Sequence, residues 1–149
     1  MLPIRVAVIA GLAAVAGTAA FGPSAFAQTP ISCRAVLDGA QEVPPHAAPS
    51  TGLMIVSLNP QTRSMSFSVN YTNLSGPATA AHFHGPAAKG QNAGVQVGLQ
   101  GSLASPIQST AVLTPAQIVQ LEAGQWYFNI HTQANPGGEI RGQVICTHG

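Results

Sequence analysis

Ser64-Met65-Ser66-Phe67-Ser68-Val69-Asn70-Tyr71 decides the fold class of this chain. Apolar and polar residues alternate through it without a break. Met65, Phe67, Val69 and Tyr71 fall on one face; Ser64, Ser66, Ser68 and Asn70 fall on the other. Successive side chains of a strand point to opposite faces, so a period of two describes a strand buried on one side only. Leu53–Leu58, just upstream, is a nearly continuous apolar run, and Asn59-Pro60-Gln61-Thr62 supplies the turn between the two. Together they predict a β-hairpin.

Further strands follow on both sides at short spacing. Cys33–Leu37 is the first, closed by Asp38-Gly39. Glu42-Val43-Pro44-Pro45-His46 reads as an extended loop, because two prolines cannot donate to a ladder. Ala80–His84 is a short strand stopped by Gly85-Pro86, and Pro86–Gly94 is a loop rich in Gly, Ala and Pro. Val95–Leu99 and Ser109–Leu113 are further strand candidates. One helix is signalled, over Pro115–Ala123. Thr114 caps it, Pro115 suits its first position, Gln117 completes a capping box, Leu113 and Ile118 form a hydrophobic staple, and Gly124 ends it. Trp126–Thr132 and Glu139–Cys146 predict a last hairpin around Pro136-Gly137-Gly138, with Ile130 opposite Val144 and Phe128 opposite Cys146. That register gathers the apolar side chains on one face. It leaves Tyr127, Asn129 and His131 on the other face with Glu139, Arg141 and Gln143.

The first 27 residues read as a signal peptide, not as part of the fold. Arg5 gives a positive start, Val6–Phe21 is almost wholly apolar, and Ala25-Phe26-Ala27 has the small-x-small form of a cleavage site before Gln28. The apolar run of about 16 residues falls short of the ~20 that span a bilayer. Pro30-Ile31-Ser32 before Cys33 lacks the small residues of a lipidation box. Residues 28–149 are then one domain's worth of chain. Cys33 and Cys146, the two cysteines, predict a disulfide in an oxidising compartment, against the alternative of free thiols.

Composition narrows the function. Beyond the signal segment Arg34, Arg63, Lys89 and Arg141 balance Asp38, Glu42, Glu122 and Glu139. No basic patch exists to follow phosphates, so no nucleic-acid partner is expected. No polybasic or amphipathic stretch points to a membrane surface, and no stable span is expected once the signal is removed. The four acids are scattered, which does not support a glycosidase pair. No Gly-x-Ser-x-Gly segment marks a serine nucleophile.

The histidines carry the remaining chemistry. With Phe83 pointing into the core, His82 and His84 face the other way together. Two such positions on a strand lie roughly 6.5–7 Å apart, within reach of one ion. His131, on a neighbouring strand, is the natural third member of a platform that suits zinc or copper and leaves an open position. Glu139 or a water is the candidate fourth ligand. His46 has no positional argument. The plainer reading is that these imidazoles hydrogen-bond to loop backbone and brace Gly-Pro turns. His148, at the terminus, is not a site candidate.

Taken in order, the segments resemble the CHRD family, the domain first recognised in the secreted antagonist chordin and found in many bacterial exported proteins. The resemblance rests on Leu37-Asp38-Gly39 with Glu42-Val43-Pro44-Pro45, Asn73-Leu74-Ser75-Gly76, and Ala81-His82-Phe83-His84-Gly85-Pro86-Ala87. It continues through Leu113-Thr114, Asn129-Ile130-His131-Thr132 and Pro136-Gly137-Gly138-Glu139-Ile140-Arg141-Gly142-Gln143. Phe83 stands where the family usually has an aliphatic residue, which keeps the inward apolar role. The resemblance implies an extracytoplasmic β-sandwich of immunoglobulin-like, Greek-key build, and supplies little mechanism. The His-x-His pair also looks like the copper ligand pair of Cu/Zn superoxide dismutase. That enzyme needs a bridging histidine and an aspartate ligand, and the sole aspartate here is Asp38.

The resulting expectation is an exported module, periplasmic or secreted, all-β with one short helix and without enzymatic activity. It would bind copper or zinc, or an extracytoplasmic protein partner, through the face bearing His82, His84 and His131. Two rivals stand beside it. One is a small metalloenzyme with a three-histidine site and Glu139 as general base. The other is an adhesion or assembly module whose histidines are structural.

Overall fold

The alternating stretch does form a strand, and its apolar half lines the core. In the computed structural model, which describes residues 29–147, this strand is β3 of a series: β1 (Ile31–Asp38), β2 (Thr51–Asn59), β3 (Ser64–Thr72), β4 (Ala78–His84), β5 (Val95–Gly98) and β6 (Ile107–Val112). The helix α1 (Pro115–Glu122) comes next, then β7 (Tyr127–Thr132), β8 (Ile140–Gln143) and β9 (Ile145–Thr147). The expected signal segment and His148 lie outside the described residues. All paired strands run antiparallel. The all-β fold with a single short helix is therefore as expected.

The strands are linked along one hydrogen-bonded path, β5-β4-β7-β8-β1-β2-β3-β6, with β9 paired to β1. This sheet folds across itself in the manner of a sandwich. Phe67 of β3 meets Phe83 of β4 edge-on at 5.0 Å between ring centres, although the two strands are far apart along the path. Phe83 also packs on Phe128 of β7 at 4.9 Å. Met54, Leu58, Met65, Ile130, Ile140, Leu121 and Trp126 fill the space around these rings, all fully buried. Each such side chain withdrawn from water stabilises the fold by roughly 1.5–3 kcal/mol.

Local chemistry explains the ends of the elements. Thr114 Oγ1 accepts from the Gln117 amide at 3.2 Å, and Gln117 Oε1 accepts from the Thr114 amide at 2.9 Å, a complete capping box. Gly124 takes a φ of +68° just past the helix, a region that glycine adopts without a Cβ penalty.

The last hairpin has a different register from the expected one. Ile130 lies opposite Ile140, and Phe128 lies opposite Gly142. The loop is longer than three residues, because Thr132 and Asn135 exchange backbone hydrogen bonds before the chain returns. The expected pairing is displaced by four residues, an even number, so every side chain keeps its face. The returning strand is interrupted at Val144, whose amide donates to the Trp126 carbonyl at 2.9 Å. Beyond it β9 sets Cys146 directly opposite Cys33 of β1. The two cysteines form the expected disulfide, joining residues 113 apart in sequence.

Candidate metal centre

β4 turns Ala81 and Phe83 into the core, so the strand alternation presents His82 and His84 on its other face. β7 runs beside it, with Tyr127 opposite His84, Asn129 opposite His82 and His131 opposite Ala80. His131 is thus one diagonal step from His82, within side-chain reach across an antiparallel pair. The face is not an open sheet surface. Tyr127 and Asn129 on it are 3% exposed, and the three histidines are half-buried. Loop segments around Ala93 and Pro136 come over to contact the rings.

One nitrogen from each of His82, His84 and His131 lies within 4.8 Å of the other two. Ring centres are 5.0 Å apart for His82 and His131 and 5.5 Å for His82 and His84. Hydrogen bonds fix which nitrogens converge. His84 Nδ1 donates to the Ala93 carbonyl at 3.0 Å, and His131 Nδ1 donates to the Pro136 carbonyl at 2.9 Å. A neutral imidazole with a protonated Nδ1 carries its lone pair on Nε2. His131 Nε2 stands 3.1 Å from His82 Nδ1. His84 Nε2 is buried and has no hydrogen-bond partner. Two ring N–H groups anchored on backbone carbonyls, with nitrogens of all three rings turned to a common point, make an arrangement that can orient histidine ligands around a metal.

The electrostatics favour the neutral form of His82 and His84. Burial pushes the pKa of His82 down, and the neighbouring His131 and His84 push it further. Burial also lowers that of His84, against the hydrogen bond to Ala93 and a smaller favourable interaction with Asn129. Neutral imidazole is the form a metal ion takes. His84 stacks flat on Tyr127 at 4.8 Å, and the Arg141 guanidinium lies over the Tyr127 ring, 3.4 Å from its centre. Arg141 in turn donates to Asn92 Oδ1 at 2.8 Å and to the Gln91 carbonyl at 2.6 Å, which ties the 86–94 loop down beside the site.

Glu139, the expected fourth ligand, is not brought to the histidines. Its carboxylate accepts from Ser50 Oγ at 2.9 Å, the Ser75 amide at 2.7 Å, Thr132 Oγ1 at 2.6 Å and Asn135 Nδ2 at 3.0 Å, and also from Ser75 Oγ. Burial alone would raise its pKa. The donors from Ser75, Thr132 and Ser50 outweigh that and hold it at about 2. A carboxylate so satisfied is a fastener between loops and a poor base. His46 is also apart from the three rings, with Nε2 3.3 Å from the Gly138 carbonyl.

Asn129 stands against the rings and Glu42 interacts with Asn129; sequence pattern assigned neither a role as a ligand. Asn129 reaches His131 Nε2 with its amide oxygen at 3.1 Å. Glu42 is 6% exposed, and its Oε1 has no hydrogen-bond partner. Burial raises its pKa to about 7, against the opposing pull of Arg141, His46 and a hydrogen bond from Asn129. That Asn129 shares a face with His131 was available from strand parity; its place opposite His82 was not. The approach of Glu42, from a loop without periodicity, had no sequence signal beyond its place in the Glu42-Val43-Pro44-Pro45 segment.

No curated protein and no solved structure matches the chain. A family model described as the CHRD domain matches residues 33–144, a span that begins at the first disulfide cysteine and takes in all three histidines, Asn129 and Glu42. The chain belongs to the CHRD family.

Proposed function

We propose that this CHRD module works outside the cytoplasm as a binding protein for a divalent transition metal, zinc or copper, held by His82, His84 and His131. The observation that carries the reading is the buried, unpartnered Nε2 of His84, on a ring whose other nitrogen is already anchored. A buried polar atom left without a partner costs about 1–3 kcal/mol, and an ion bound there removes that cost. A purely bracing histidine would need its Nδ1 contact alone. Half-burial of the three rings favours a small ligand over a protein surface. The disulfide supports an oxidising compartment. Among the described residues no helix is long and apolar enough to cross a membrane. The metalloenzyme reading loses support because its expected base, Glu139, is fully engaged elsewhere.

The test is a calorimetric titration of chelator-treated protein with Zn²⁺ and Cu²⁺. The expected outcome is one ion per chain. His131→Ala should weaken affinity at least tenfold, about 1.4 kcal/mol. Unchanged affinity in that variant would remove the site.

A further inference from the structure

Three imidazoles leave a four-coordinate ion one donor short. The identity of the fourth donor depends on the reading of His82, His84 and His131 as ligands. Asn129 lies directly opposite His82 in the β4–β7 pair and is 3% exposed. Its Oδ1 is 3.1 Å from His131 Nε2. That nitrogen bears a lone pair, because His131 Nδ1 is the one that donates to Pro136. An acceptor oxygen therefore faces an acceptor nitrogen. Turning the amide over would set its NH₂ against the ring and make an ordinary hydrogen bond. An interaction between Asn129 and Glu42 that favours the ionised carboxylate opposes that turn. In its ionised form Glu42 has only acceptors to offer, and that form favours the NH₂ toward itself and the amide oxygen toward the rings.

A glycine makes room for Glu42 in this position. Gly138 has a φ of +131°, and a Cβ there would lie 2.4 Å from Glu42 Oε1. Any side chain at 138 would force the Glu42 carboxylate to move. The spacing of these atoms suits donors gathered around one ion as well as it suits hydrogen bonds. His82 Nδ1 and Asn129 Oδ1 each stand 3.1 Å from His131 Nε2. Donors bound at roughly 2.0–2.2 Å around one ion stand about that far from one another.

We propose that Asn129 supplies the fourth donor, through its amide oxygen, to the ion held by His82, His84 and His131, with Glu42 as the positioning residue that turns that oxygen inward. The set is three nitrogens and one oxygen, all neutral, with no sulfur. Such a set suits Zn²⁺ and Cu²⁺, whereas Cu⁺ is selected by thiolate and thioether.

The experiment is Cu²⁺ titration of the purified protein with electron paramagnetic resonance as the readout, which reports the donor set independently of stability. Asn129→Leu, close in volume but without a donor, should weaken Cu²⁺ binding tenfold or more and shift the spectrum away from the parent. Asn129→Asp keeps an oxygen at the same place and should retain the parent donor set. Glu42→Gln keeps an acceptor for the Asn129 amide and should preserve the spectrum, whereas Glu42→Leu should change it. A parent-like spectrum and affinity in Asn129→Leu would overturn the proposal. So would an Asn129→Asp spectrum without the oxygen donor, which decides the matter even where the leucine variant fails to fold. His131→Ala separates the two levels. Loss of binding there with Asn129→Leu unchanged leaves the three-histidine reading standing without Asn129, and retention of binding in both removes both.

Discussion

Glu139 and Glu42 are both buried carboxylates, and their surroundings drive them in opposite directions. Glu139 sits among donors from Ser50, Ser75, Thr132 and Asn135 and is held at about 2. Its folded value lies below the ordinary 4.5, so its contribution to stability is fully present above pH 4.5 and is lost as the pH falls toward 2. The shift corresponds to roughly 3 kcal/mol. Glu139→Gln should remove most of that at neutral pH and flatten the acid limb of the stability curve, as urea denaturation at pH 3 and pH 7 would measure. An unchanged acid limb would exclude this role. Glu42 lacks such donors, and burial raises it to about 7. A buried carboxylate that stability alone does not favour, next to a residue of the candidate site, is what a binding site retains. Strand parity in the sequence placed Glu139 on the correct face. Parity states which way a side chain points and not which loops come to meet it.

The strands were legible because their burial is one-sided. The alternation over Ser64–Tyr71 and the Phe83 position between two histidines each fix a face from sequence alone. His131 joined the correct face despite a register wrong by four residues, because an even displacement preserves parity. The register itself was not legible, since the Thr132–Asn135 turn and the interruption at Val144 depend on backbone contacts with Trp126 and β1. The interruption matters, for it sets Cys146 across from Cys33 in β9. The disulfide closes a loop of 113 residues, which in the chain-entropy view stabilises the fold by ~4–5 kcal/mol. Replacing both cysteines with serine should lower the unfolding free energy by that order in a denaturant titration. A change under about 1 kcal/mol would mean that the unfolded chain gains little freedom from the loss.

At the scale of the molecule, a sheet folded over an aromatic core supplies a rigid floor, and three loop regions roof one part of its other face. Phe83, locked between Phe67 and Phe128, fixes β4, and thereby the directions of His82 and His84. Tyr127 and Arg141 pin the 86–94 loop, which delivers the Ala93 carbonyl to His84. The floor and its three histidines come from local pattern. The roof, with Glu42 and the anchoring carbonyls, arises from long-range packing that no periodicity encodes. Metal binding by this module requires the three imidazoles to meet at one ion. X-ray absorption at the zinc edge, on protein loaded with one equivalent of Zn²⁺ and passed through gel filtration, tests this most directly. Retained zinc is expected, with imidazole scattering from three histidines at about 2.0 Å, reduced to two in His131→Ala. Zinc lost on the column, or a first shell without imidazole, would contradict it.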